Sequence, residues 1–86
     1  MKVYMRPVRM ISLTEPDGSA RPLRFQVEGR DGITVIKIDS IISKQEEKLA
    51  GNRMLVFSCQ SVIGDIQRRF ELKYEITTCK WYLYKI

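Results

Sequence analysis

The sequence predicts a small all-β protein, and three observations lead to this prediction. Apolar and polar residues alternate with a period of two in several segments, which is typical of strands with one buried face. Short segments rich in Gly, Pro, Asn and Asp separate these runs, as in tight turns. Only one segment, residues 43–50, looks helical. We therefore expect a single β domain, 1–86, of about six mostly antiparallel strands that form a small barrel or two curved sheets, SH3-like in size.

The first half of the chain supplies three of these strands. We predict them at residues 7–14, 22–28 and 33–42. In the second strand, Leu23, Phe25 and Val27 alternate with charged and polar residues and are expected to face the core.

The third predicted strand changes its phase part of the way along. Ile36 and Ile38 share a face, but Ile41 and Ile42 cannot both continue it. A bulge or sharp bend near Asp39 would restore the pattern. The polar segment that follows, Ser-Lys-Gln-Glu-Glu-Lys-Leu-Ala, is expected to form a surface loop with one or two helical turns that ends at Gly51 in a left-handed cap.

The second half supplies three more strands, at residues 54–61, 68–74 and 80–85. A hairpin between the last two places five apolar side chains on one inner face: Phe70, Leu72, Tyr74, Trp81 and Leu83. The final aromatic segment is therefore predicted to be part of the core. The five aromatic side chains predicted to face inward are Phe25, Phe57, Phe70, Tyr74 and Trp81.

The two cysteines are interpreted as reduced thiols without a catalytic role. Cys59 has the same parity as Leu55 and Phe57, which predicts a buried, apolar environment. Cys79 falls in a turn and is expected to be more exposed. The first ten residues lack the apolar core of a signal peptide, and no apolar run is long enough to span a membrane, so we expect a cytoplasmic protein, in which a disulfide is unusual.

The chain contains no histidine, the side chain best suited to proton transfer near neutral pH. Two cysteines do not supply the four ligands of a structural zinc site, and no phosphate-binding or nucleophile motif is present. The carboxylates fall in turns, in the polar loop or on outward strand positions. We therefore expect no catalytic residue, no cofactor and no metal, and an enzyme is not predicted.

Positive charge is concentrated at the two ends of the sequence. The net charge is +5, of which residues 1–13 contribute +3, residues 68–86 contribute +3 and the middle contributes −1. This charge favours solubility, and it is also compatible with an anionic partner.

The second half of the sequence resembles a family of small proteins of Gram-positive bacteria. The resemblance rests on the Lys-Leu-Ala-Gly loop at 48–51, the cysteine-bearing strand after it, a strand ending in Tyr-Glu, and the final Lys-Trp strand. In the first half, Pro7-Val8-Arg9 and the Pro-Leu-Arg-Phe strand also fit. The resemblance implies a compact all-β domain of bacterial origin, and it carries over no activity and no site residue.

Two classes of function remain open. The first is an interaction or structural module, which could use an edge strand or the face that carries Tyr82, Tyr84 and Ile86, and whose partner is another protein or a second copy. The second is a small nucleic-acid-binding barrel that uses the basic ends, since lysines and arginines neutralise phosphates and tyrosines stack on bases. Either class would use the same candidate face, and Lys2 adds positive charge to it. The residues of this face are Arg6, Arg9, Arg69, Lys73, Lys80, Tyr82, Tyr84 and Lys85.

Overall fold

The computed structural model describes all residues, 1–86, and its regular structure consists of seven β-strands without a helix. The strands are β1 (Val3–Thr14), β2 (Ala20–Gly29), β3 (Gly32–Lys37), β4 (Ser40–Leu49), β5 (Asn52–Ile63), β6 (Ile66–Glu75) and β7 (Lys80–Lys85). They form one antiparallel sheet in the order β3-β2-β1-β7-β6-β5-β4. The all-β prediction is confirmed, with seven strands in place of about six. No helix is available to cross a membrane.

The sheet bends along β1, which belongs to two groups of strands. Its first part, Val3–Val8, pairs with β7, whereas Arg9–Thr14 pairs with β2. Phe25 on β2 and Phe70 on β6 lie three strand positions apart, about 14 Å in a flat sheet, yet their ring centroids are 5.7 Å apart. We call Arg9–Thr14 with β2 and β3 the small half, and Val3–Val8 with β4 to β7 the large half. The sheet is not closed into a barrel, so β3 and β4 remain its edges.

The last strand is part of the core, as predicted. It lies between β1 and β6, and Tyr74 and Leu72 on β6 are the register partners of Trp81 and Leu83. Both β7 side chains are buried. The buried core comprises Phe25, Ile36, Phe57, Cys59, Phe70, Leu72, Trp81 and Leu83, and Tyr74 packs against it. The predicted inward orientation of the five aromatic side chains is therefore confirmed.

The helical interpretation of residues 43–50 is wrong, because residues 43–49 belong to the edge strand β4 and Ala50 begins the following turn. An edge strand does not need an apolar composition, and charged residues are common there. Two cross-strand ion pairs use these charges: Glu46 pairs with Arg53, and Glu47 pairs with Lys73. Gly51 has a positive φ of 83°, as predicted, but it lies in a hairpin turn.

The predicted bend near Asp39 is confirmed. Strand pairing stops between β3 and β4, and a register shift follows at Ile42. The corner is held by two hydrogen bonds: the Asp39 amide donates to Ser61 Oγ at 3.0 Å, and the Val62 amide donates to Asp39 Oδ2 at 2.8 Å.

The predicted burial of Leu23 is wrong, and a β-bulge explains the error. The pairing of β1 with β2 passes from Ile11–Arg24 to Ser12–Pro22, so Leu23 has no partner on β1. The bulge reverses the alternation beyond this point. Pro22 consequently enters the core, while Leu23 is exposed.

Candidate protein-interaction surface

The strands at the two ends of the sequence lie side by side, since β7 is between β1 and β6. On the outer face of the large half, Tyr82 lies opposite Pro7 on one side and Lys73 on the other. Arg69 is exposed on the same face, opposite Gln60 of β5. The structure thus brings together the part of the predicted face that β6 and β7 supply.

The charge of Lys73 is already compensated within the protein. Its side chain is only 8% exposed, and its Nζ donates to Glu47 Oε2 at 2.8 Å. The same ammonium lies 3.8 Å from the centroid of the Tyr84 ring, and Lys85 Nζ lies 4.9 Å from that centroid. Because two ammonium groups contact the Tyr84 ring, little of its surface is free for a stacked base.

The other lysines of this face also have acidic neighbours. Lys80 is the register partner of Glu75, and Lys85 that of Glu71. The Glu75 carboxylate accepts hydrogen bonds from Thr78 and Asn52, which lower its pKa. The outer face of the large half therefore mixes positive and negative charge.

The two predicted arginines of β1 line a cleft between β1 and β2. Arg6 Nη1 donates to the Glu28 carbonyl of β2 at 2.9 Å. A cleft of about 390 Å³ opens beside it, lined by Arg6, Pro7, Arg9, Gln26, Val27, Glu28 and Ile33.

A second cleft continues the first along the small half. It measures about 240 Å³ and shares Arg9 and Gln26 with the first, and its lining is Arg9, Ile11, Arg24, Phe25, Gln26 and Val35. We call the two clefts together the arginine groove.

The groove contains three arginines: Arg6, Arg9 and Arg24. They form no ion pair, because the only two ion pairs of the protein involve Arg53 and Lys73. Their positive charge is available to a partner.

Arg24 was not predicted as a site residue. The sequence shows that Arg24 alternates with the inward-facing Phe25 and therefore faces outward. Its position beside Arg9, however, depends on the pairing of β1 with β2.

Aliphatic side chains border the arginine groove and are open to solvent. Ile33 is 61% exposed, Ile11 54% and Val35 53%. Val35 lies opposite Gln26, and Ile33 lies opposite Glu28, on the same outer face as Arg24. These β-branched residues belong to paired strands, so the surface combines apolar contacts with the guanidinium groups of Arg9 and Arg24, which form no ion pair.

The cysteines have the environments that the sequence predicts. Cys59 is a buried free thiol, and its burial raises its pKa to about 12. Cys79 is a free, exposed thiol. No group of three His, Cys, Asp or Glu side chains is placed to hold a metal ion.

Comparison with known proteins does not assign this surface to a family. The chain matches no protein-family model, no curated protein and no solved structure.

Proposed function

We propose that the protein is a non-catalytic interaction module that binds an acidic, partly apolar segment of another protein through the arginine groove. The observation that carries this proposal is the combination of two arginines without an ion pair, Arg9 and Arg24, with three exposed aliphatic side chains on the outer face of the small half. The expectations of a cytoplasmic location and of a bacterial family remain part of the same proposal.

The chemistry of the arginine groove suits such a partner. Guanidinium groups bind carboxylates with paired hydrogen bonds, and arginine is enriched at protein interfaces. Since Arg9 and Arg24 have no internal carboxylate partner, binding breaks no existing ion pair. Burial of Ile33 and Val35 adds a hydrophobic contribution.

A nucleic acid is the competing partner, because the same arginines could contact phosphates. Binding of single strands also relies on aromatic rings on which bases stack. The groove presents no exposed aromatic ring, since its one aromatic residue, Phe25, is buried, and the Tyr84 ring of the large half is contacted by Lys73 and Lys85. These contacts favour a protein partner.

The test is a fluorescence anisotropy titration with a labelled, end-capped peptide of about ten residues that alternates Glu and Val, at about 50 mM salt. We expect the double variant Arg9→Glu/Arg24→Glu to weaken binding by roughly tenfold or more, since it replaces attraction with repulsion. The matched control, Lys48→Glu/Arg69→Glu, makes the same change in net charge on strands of the large half that do not neighbour β1, and it should weaken binding far less.

A single-stranded oligonucleotide of similar length and charge is titrated in parallel. Equal losses in the two double variants would show a non-specific charge effect and would overturn the arginine groove as the site. Tighter binding of the oligonucleotide than of the peptide, again lost with Arg9→Glu/Arg24→Glu, would replace the proposal with nucleic-acid binding.

A further inference from the structure

The two edges of the sheet differ in how they are protected against pairing with another strand. β4 has a register shift at Ile42 and carries four charged residues: Lys44, Glu46, Glu47 and Lys48. Charges and bulges are common features of edges that avoid pairing. β3 is in regular register with β2 along its whole length and has no charged residue before Lys37. The first four residues of β3 are all exposed. β3 therefore presents an unprotected edge.

The hydrogen bond at the end of β3 shows which of its backbone groups are free. The Ile38 amide donates to the Leu23 carbonyl at 3.0 Å, so these two residues form a hydrogen-bonded pair. Such pairs alternate along an antiparallel ladder, and Thr34 with Val27 falls in the same phase. The N–H and C=O groups of the intervening residues, Ile33 and Val35, therefore point away from β2, toward the open edge.

The surroundings of this edge differ on its two sides. On the outer side, Val35 lies diagonal to Arg24 and two residues from Lys37, whereas Ile33 lies opposite Glu28. On the inner side is a third cleft of about 250 Å³, whose lining includes the apolar residues Ile36, Ile63 and Leu83 and also Arg6 and Arg68. Alternate residues of an added strand would thus meet an outer side that is basic around Val35 and an inner side that is largely apolar.

We propose that the partner segment binds in an extended conformation as an additional strand beside β3, with acidic side chains on the outer side and aliphatic side chains on the inner side. This mode of binding rests on the proposed function and adds backbone hydrogen bonds to Ile33 and Val35.

The experiment compares Val35→Pro with Val35→Thr in the same titration with the Glu-Val peptide. Proline removes the free N–H, and it is tolerated on an edge strand where that group faces solvent. Threonine keeps the N–H and the β-branched shape. We expect Val35→Pro to weaken binding by about tenfold or more and Val35→Thr by less than about threefold, because only proline removes a backbone hydrogen bond.

Amide hydrogen exchange of the unmodified protein provides a second measurement that does not depend on the folding of Val35→Pro. Without peptide, the amides of Ile33 and Val35 should exchange faster than those of Thr34 and Ile36. With peptide, exchange at Ile33 and Val35 should slow. Unchanged exchange at these two amides, with binding still sensitive to Arg9→Glu/Arg24→Glu, would overturn strand addition and leave the proposed function in place. Binding insensitive to both sets of variants would overturn the proposed function itself.

Discussion

The large half and the small half of the sheet use the same kind of strand for different purposes. Six of the eight core residues lie on β5, β6 and β7, whereas the small half contributes only Phe25 and Ile36. Both ion pairs of the protein are in the large half. The small half holds Arg9 and Arg24, which form no ion pair, beside the exposed Ile11, Ile33 and Val35. The comparison indicates that the large half holds most of the buried core, and we propose that the small half provides the binding surface.

The largest expected effect of a single substitution is on the core of the large half. Trp81 is buried, and its ring contacts those of Phe57 and Tyr74 at centroid distances of 5.4 and 4.6 Å. Trp81→Ala should lower the free energy of unfolding by about 3–5 kcal/mol, a large share of the roughly 5–10 kcal/mol that stabilises a small domain. Urea denaturation monitored by circular dichroism measures this loss.

The neighbouring residue of the same strand supplies the control. Tyr82 lies on the outer face and is half-buried, so Tyr82→Ala should cost only about 1 kcal/mol. Val35→Thr, on the small half, should change stability by about 0.5 kcal/mol or less. If Val35→Thr destabilised the protein as much as Trp81→Ala, the assignment of stability to the large half would be wrong.

The ion pair on the outer face of the large half should produce an intermediate effect. Glu47→Ala leaves the buried Lys73 ammonium without its carboxylate, and because Glu47 is partly exposed we expect a loss of about 1–2 kcal/mol. Replacing both residues, Glu47→Ala with Lys73→Met, should recover most of that loss, since no unpaired charge remains buried. A double variant that is less stable than Glu47→Ala alone would show that the Lys73 ammonium is stabilised by other contacts, such as the Tyr84 ring.

The two thiols test the same difference in burial without a substitution. At pH 8 a thiol with a pKa of about 12 is almost entirely protonated, and only the thiolate reacts. A thiol reagent should therefore modify Cys79 in the folded protein and Cys59 only after denaturation, so intact mass should show one adduct before unfolding and two after it. Rapid modification of both thiols in the folded state would mean that the core around Cys59 opens readily.

The sequence predicted the buried face of a strand correctly where apolar and polar residues alternate regularly along it. The parity of Phe70, Leu72 and Tyr74 against Trp81 and Leu83 correctly predicted the last hairpin and its buried face. The same alternation gave a wrong prediction for Leu23, where one extra residue reverses the inward and outward positions. The bulge that exposes Leu23 depends on the pairing of β2 with β1, which the sequence of β2 alone does not show.

The prediction also failed for β4, for a different reason. The polar composition of residues 43–50 is explained by its location at an edge, and edge positions depend on strand order. The same limit applies to the candidate site. The positive charge at the ends of the sequence identified Arg9, but only the topology places Arg24 beside it and separates both arginines from Lys73 and Tyr84.

The most direct test of the division between the two halves is to map the bound Glu-Val peptide on the ¹⁵N-labelled protein by chemical-shift changes. We predict that the largest shifts lie on the small half, at Arg9, Arg24, Gln26, Ile33 and Val35, while Arg69 and Glu71 on the large half change little. Largest shifts at Lys80, Tyr82 and Tyr84, with the small half unaffected, would contradict the account and would identify the outer face of the large half as the binding surface.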